Sequence, residues 1–231
     1  MTSTDPVCIV CGHDGFRHDD VLWPALVEAW GLSAAEAAYV NVQQGTRCER
    51  CGTNVRAQAL ARALLRAADA RGTMESLAYA GSPLDRPLLE INEAGTLSPW
   101  LSRLPRRVLA RYPDVDVTRL PYEDGRFDFV VHSDTLEHVP DLLAGLRECR
   151  RVLGSGGACV FTVPVIVCRM TRSREGLPPS YHGHPACREA DFQVWTEFGA
   201  DVWTWVFEAG FARCELVPFR YPAGIAIIAW A

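Results

Sequence analysis

From Arg86 onward, short apolar runs alternate with helical patterns, which predicts parallel β/α units. The runs are PLLEI (Pro87 to Ile91), RVLAR (Arg107 to Arg111), FDFVVH (Phe127 to His132) and GACVFTVP (Gly157 to Pro164). Between the last two, Leu142, Leu143, Leu146 and Val152 recur at helical spacing, and Gly154, Gly156 and Gly157 are expected to stop that helix. A helix over Ala200 to Ala209 is followed by ARCELVPF and AGIAIIAWA, two runs suited to an antiparallel hairpin at one edge of a sheet. The stretch from Arg111 to Phe127 is too short for a full helix plus strand, so one edge of the sheet is expected to be abbreviated. The front of the chain reads differently. VLWPALVEAW is helical in spacing, SAAE at Ser33 to Glu36 is a capping box opening a second helix, and NVRAQALARALLRAADA is a long amphipathic helix. Arg56, Arg62 and Arg66 are assigned to its wet side as solvated charges. The expected division is a front module over residues 1–72 and a main domain over 73–231. Within the latter, a polar, proline-interrupted insertion at about 165–198 has the character of a substrate cover.

Composition narrows the classes. At 231 residues and 48% hydrophobic, the chain can bury a full core without disulfides. Its net charge of -5 and scattered basic residues offer no cationic face for nucleic acid. All 23 basic residues are arginine, so no lysine exists to form a Schiff base or act as a base. No apolar run approaches the ~18 to 20 residues of a membrane span, and MTSTDPVC lacks the pattern of a secretory signal. A cytoplasmic location without a membrane partner is therefore expected; the oligomeric state is left open. In a reducing compartment, nine cysteines point to metal rather than to a disulfide framework.

Two of the cysteine pairs carry that signal. Cys8 with Cys11 in CIVCG and Cys48 with Cys51 in RCERCG each enclose two residues and precede a glycine, Gly12 or Gly52. Such a turn aims both thiolates at one point, so the two knuckles can close a tetrahedral four-sulfur zinc site. Four buried thiols without metal are the alternative. Four thiolates leave no open position, so this zinc would be structural and not catalytic.

The order LLEINEAG, then DVTRLPYEDGRFDFVVHSDTLEHVPD, then LRECRRVLGSGGACVFTVP resembles the class I S-adenosylmethionine-dependent methyltransferases over roughly Arg86 to the C terminus. The front resembles the four-cysteine extension of some bacterial members. The implied fold is α/β: a Rossmann-like, mostly parallel sheet of the class I type with an N-terminal helical zinc-binding extension. The resemblance implies that Glu90, ending the first strand, holds the cofactor's amino group or fixes the glycine loop. The loop that follows offers Gly95, with Asn92, Ala94 and Ser98, where the family has a glycine-rich loop approaching the methionine arm. Arg111 stands near the position of the acid that holds the ribose, for which Tyr112 or Asp114 could substitute. Asp116 matches the aspartate that accepts the adenine amino group, with Val117 as its apolar neighbour. His132, Ser133 and Asp134 are expected in a loop at the carboxyl end of the strands, where ligands sit in open α/β sheets. Glu137 and His138 are expected to orient that loop and cap the next helix.

On the acceptor side, YHGHP brings Tyr181, His182 and His184 together, and a neutral histidine within reach of a hydroxyl could take its proton as the methyl bond forms. The catalytic candidates are thus His182, His184, Tyr181 and His132. The function this implies is S-adenosylmethionine-dependent methyl transfer to a small molecule or sugar-type metabolite. Two alternatives stay open: intramolecular alkylation by the aminobutyrate arm of the same cofactor, and a catalytically silent zinc-bearing adaptor.

Overall fold

The computed structural model describes residues 7–181 and 192–231. In chain order its elements are β1 (Phe16–His18), α1 (Pro24–Ala29), α2 (Ala34–Gly45), β2 (Thr46–Cys48), α3 (Val55–Ala67), α4 (Met74–Leu77), β3 (Leu88–Ile91), α5 (Ser98–Leu101) and β4 (Arg107–Ala110). There follow β5 (Phe127–Ser133), α6 (Leu142–Arg151), β6 (Leu153–Thr162), β7 (Arg172–Ser173), β8 (Thr196–Glu197), α7 (Val202–Glu208), β9 (Arg213–Phe219) and β10 (Gly224–Trp230).

The main sheet has the order β4-β3-β5-β6-β10-β9. Its first four strands are parallel, and β10 runs antiparallel to both of its neighbours. The sheet is thus mostly parallel, of the kind expected for the class I methyltransferase fold. The closing hairpin is β9 with β10, and among the described residues no strand lies between β4 and β5 in sequence, so β4 is the edge. Because β3, β4, β5 and β6 all point the same way, their carboxyl ends share one rim.

Strand alternation divides the apolar residues between two faces. Leu88, Phe129, Val131, Val160 and Ile228 share a core with α3, whereas Leu89, Val130, Phe161 and Ile227 share one with α6 and α7. Cys8, Val10 and Cys48 belong to the first of these cores, so the cysteine knuckles and the sheet are packed on the same helix. The knuckles themselves lie beside the small antiparallel ribbon β1–β2 rather than on a helix.

Three expectations need correction. Arg56 is not solvated: it is 4% exposed, because the first turn of α3 ends against the rim of the sheet. Arg62 and Arg66 do face outward but reach the edge strand, where Arg62 donates to the Pro218 carbonyl and Arg66 pairs with Glu215. The last apolar run starts earlier than Gly157: α6 does stop before the glycines, but β6 begins at Leu153 and runs through them, and a β-carbon at Gly157 would lie 2.9 Å from the Gly154 oxygen.

The capping box forms as read. Ser33 Oγ accepts from Glu36 N at 3.3 Å and Glu36 Oε2 accepts from Ser33 N at 2.7 Å. Glu36 also receives Arg169, which donates at 2.7 Å to Oε1 and at 2.8 Å to Oε2 and reaches the carbonyls of Trp30 and Gly31. This pairing holds the Glu36 carboxyl down at about 2, from an ordinary 4.5. A depressed carboxylate contributes stability that is fully present above its unfolded value and is lost as pH falls toward its folded one. Glu36→Gln should therefore cost on the order of 2 kcal/mol at neutral pH, the range for a charged hydrogen bond. The difference from wild type should shrink as pH drops from 4.5 toward about 2. Urea titrations of both proteins across that window would test it; a constant difference would contradict it.

Candidate active site

Glu90 anchors the rim. Strand alternation points it away from Leu89 and Ile91 into a wholly buried position, where a carboxylate requires partners. Arg107, at the start of β4, donates to Oε2 through Nε at 2.6 Å, and Glu90 Oε1 accepts the Ala94 amide at 2.8 Å. The loop after β3 is thereby tied down at Ala94. Asn92 and Gly95 both take left-handed φ, +52° and +51°. A β-carbon at Gly95 would meet nothing within 4 Å, so open space lies over the loop. Asn92 Oδ1 accepts the Tyr112 amide at 3.0 Å, joining this loop to the one after β4. Arg111 sits there too, ion-paired with Glu93, and that pairing holds the Glu93 carboxyl below its usual range.

Across the rim, β5 ends one residue later than read. His132 and Ser133 are strand residues, and Ser133 Oγ is 2.8 Å from Thr162 Oγ1 on β6. Asp134 follows with φ +51°. Its Oδ2 takes the buried Arg56, whereas its Oδ1 is buried with no partner among the described residues. Arg56 also donates to Gln43 Oε1 at 2.6 Å, and burial lowers its guanidinium to about 10. Glu137 is wholly buried nearby, and burial raises its carboxyl against the opposing pull of His138 and Arg56. His138 Nδ1 donates to the Gln193 carbonyl at 2.9 Å, and the Glu137 carbonyl accepts the Trp195 amide at 2.7 Å. The Leu136–His138 turn therefore binds the covering segment and does not cap α6, whose cap is Asp141, accepting Ala144 N at 2.9 Å.

The remaining candidates are placed as follows. Asp116 is exposed, and its Oδ1 accepts both the amide and the hydroxyl of Thr118 at 2.8 Å, leaving Oδ2 toward solvent. Val117 is core, beside Leu136 and Gly145. His132 lies inside the sheet: its ring is 0% exposed and stacks on Phe161, the centroids 4.9 Å apart. Tyr181 is half-buried and bridges to Gln193, while His182 and His184 lie outside the described residues. Sequence reasoning missed Arg56 and Arg107, since nothing local separates a helix-start or strand-start arginine that faces the rim from one that faces water. A cavity of about 140 Å³, lined by Trp30, Pro164, Ile166, Met170, Val194 and Phe198, opens between the end of α1 and the covering segment.

At the front, the sulfurs of Cys8, Cys11, Cys48 and Cys51 all lie within 4.8 Å of one another. The Cys8–Cys51 and Cys11–Cys48 separations are both 3.6 Å. A zinc–sulfur bond of about 2.3 Å gives a tetrahedral edge of about 3.8 Å, so the cluster has the dimensions of a four-thiolate site. The two knuckles repeat one turn: Gly12 N donates to the Cys8 carbonyl and Gly52 N to the Cys48 carbonyl, both glycines at left-handed φ. Without an ion, burial pushes the Cys8 thiol up and Cys11 to about 11, whereas backbone amides and the neighbouring thiols pull Cys48 down against its own burial. A cation would relieve the cost of burying the charged form.

Residues 94–161 match the family model described as a methyltransferase domain. Over 59 residues the chain is 49% identical to a demethylmenaquinone methyltransferase of Mycolicibacterium gilvum, covering 23% of this chain and 26% of that one. Over 46 residues it is 50% identical to a sarcosine/dimethylglycine N-methyltransferase of Halorhodospira halochloris, 20% of this chain and 16% of the other. The chain thus spans about a quarter or less of the length of these curated relatives. Among solved structures, a 1,6-didemethyltoxoflavin-N1-methyltransferase of Burkholderia thailandensis, with bound S-adenosylhomocysteine, aligns over 93% of this chain and 94% of its own at 16% identity, with a TM-score of 0.43. The stretch similar to that methyltransferase-domain model runs from the loop after β3 to the penultimate residue of β6, and so includes most of the rim.

Proposed function

We propose that the protein is an S-adenosylmethionine-dependent methyltransferase acting on a small molecule or sugar-type metabolite. The observation that carries this reading is the rim between β3 and β5. There a loop fixed by Glu90, open above Gly95, adjoins Asp134 with an orphaned carboxylate oxygen and the buried Arg56. That donor set suits an amino-acid terminus: Asp134 Oδ1 would accept the ammonium, and Arg56 would take the carboxylate. Asp116 Oδ2 would accept the adenine amino group. Glu93, steadied by Arg111, is the carboxylate available for the ribose, while Asn92, Val117 and Ser133 shape the pocket through the backbone and the core behind it. The cofactor supplies a methyl group on a sulfonium for in-line displacement. The chain's part is to hold the acceptor in line and exclude water. The covering segment would do so, with Tyr181, His182 and His184 as the groups that orient the acceptor or take its proton. In this reading residues 1–72 are a front module and 73–231 the methyltransferase domain, working in the cytoplasm. Cys8, Cys11, Cys48 and Cys51 would hold a structural zinc.

Calorimetry should show S-adenosylmethionine binding, weakened by about 1 kcal/mol in Asp116→Ala, the net value of a hydrogen bond whose partners water can reach. Turnover should release S-adenosylhomocysteine; methylthioadenosine would instead identify alkylation by the aminobutyrate arm, and absence of binding would leave the adaptor reading. For the zinc, Cys48→Ser should lose about one equivalent of metal per chain together with much of the cooperative unfolding transition, since site formation and folding are coupled. Unchanged metal content in a variant with all four cysteines changed to serine would refute it.

A further inference from the structure

On the face of the sheet opposite α3, three ligand-bearing side chains converge where neither the rim nor the zinc knuckles reach. His132 on β5, Cys159 on β6 and Cys149 on α6 are each 0% exposed, and their ligand atoms all lie within 4.8 Å of one another. Strand pairing explains two of them. Val130 is opposite Cys159 and His132 opposite Phe161, so His132 and Cys159 are diagonal neighbours on one face. Cys149 comes down on them from α6. Cysteine in a core is ordinarily a small apolar filler, but a histidine there is not. Among the described residues His132 Nδ1 is buried without a hydrogen-bond partner, and Nε2 meets the Cys159 sulfur at 3.8 Å. A ring nitrogen that meets sulfur at this distance in an apolar core is costly to bury unless something completes it.

We propose that His132, Cys149 and Cys159 form a second, wholly buried site for one thiophilic metal ion of the soft d10 class. One imidazole and two sulfurs select Cu⁺ or Zn²⁺ over hard cations. The separation of 3.8 Å between Nε2 and Sγ is the one that bonds of about 2.1 and 2.3 Å subtend in a trigonal arrangement, against about 3.6 Å in a tetrahedral one. Charge favours the same ions. Zn²⁺ with two thiolates and neutral imidazole carries no net charge, nor does Cu⁺ with one thiolate and one thiol, so a closed apolar site can hold either. Binding displaces two protons from the thiols in the first case and one in the second, and nothing is oxidised or reduced. The ion would staple β5, β6 and α6 together two residues before Asp134, and so steady the rim from beneath.

The test uses the full chain purified from cultures supplied with zinc and, separately, with copper, followed by metal analysis and X-ray absorption at the metal edge. A nitrogen neighbour at about 2.0 Å is expected beside sulfur at about 2.3 Å. A Cys149→Ala/Cys159→Ala variant should lose about one equivalent and the nitrogen shell, leaving any four-sulfur signal of the front site intact. Which culture yields the nitrogen shell identifies the ion. If the front site is empty, the nitrogen and sulfur shell persists in wild type and still vanishes in the variant, so the two readings fail separately. If the double variant does not fold, His132→Phe, which keeps the stack on Phe161, takes its place, and the wild-type spectra stand on their own. Sulfur-only spectra from both cultures, or metal content unchanged by the substitutions, would overturn the proposal.

Discussion

A guanidinium cannot be buried unless it is paired, and Arg56 is buried where three parts of the molecule meet. Its partners come from α2 through Gln43 and from the end of β5 through Asp134, with the Glu137 charge close enough to oppose its deprotonation. Each partner has further obligations. Gln43 donates onward to the Ala223 carbonyl beside β10, and the Asp134 amide donates to Thr162 on β6. Satisfying one cation therefore fixes the register of the front helices against the rim of the sheet. The long helix α3, packed over β6, β9 and β10, provides the apolar area that makes this burial tolerable.

The same logic operates at Glu90, with the signs reversed. A wholly buried carboxylate takes an arginine from β4 and an amide from its own loop, so charge satisfaction and loop shape are a single event. The two rim pairs differ in what remains unspent. The Glu90 oxygens have their partners, whereas Asp134 keeps one buried oxygen with none among the described residues. Ligand capacity thus collects on the β5 side, next to the loop whose open backbone gives room at Gly95. The truncated edge after β4 adds to this asymmetry, since the loop carrying Asp116 rather than a further strand follows β4 among the described residues.

Periodicity made most of the sheet legible: the four apolar runs, the helix between the last two and the closing hairpin all occupy the places their spacing predicts. The cysteine knuckles were legible for the same reason, because two residues between ligands is a local distance. What escaped depends on distances that no local pattern records. Arg56 stands two residues after the cap Asn54 of an amphipathic helix and resembles Arg62 and Arg66 in sequence, but only Arg56 lies in the first turn, where α3 abuts the rim. His132 read as a loop residue because it stands at the end of an apolar run. One further strand residue, Ser133, keeps its ring inside the sheet. The irregular NEAG loop was legible as a departure, and the structure supplies its physical basis, a hydrogen bond from Ala94 to Glu90 in place of glycine content.

The covering segment is bound at both ends to parts that define the site. Arg169 fastens its beginning to Glu36 and to the carbonyls at the end of α1, while His138 and the Glu137 carbonyl fasten its return at Gln193 and Trp195. Between these anchors, Trp30 donates to Ser180 at 2.7 Å, just before Tyr181. The 140 Å³ cavity lies within this frame, walled by the front module on one side and the cover on the other. The front residues thereby help to set the shape of this cavity through Trp30. The front knuckles hold α3 and the ribbon, α2 runs directly into β2 of that ribbon, and α2 carries the carboxylate that seats the cover. Loss of the front cluster would propagate to this cavity through Glu36 and Arg169 before it reached the rim, because Glu90 and Arg107 close their own pair within the sheet.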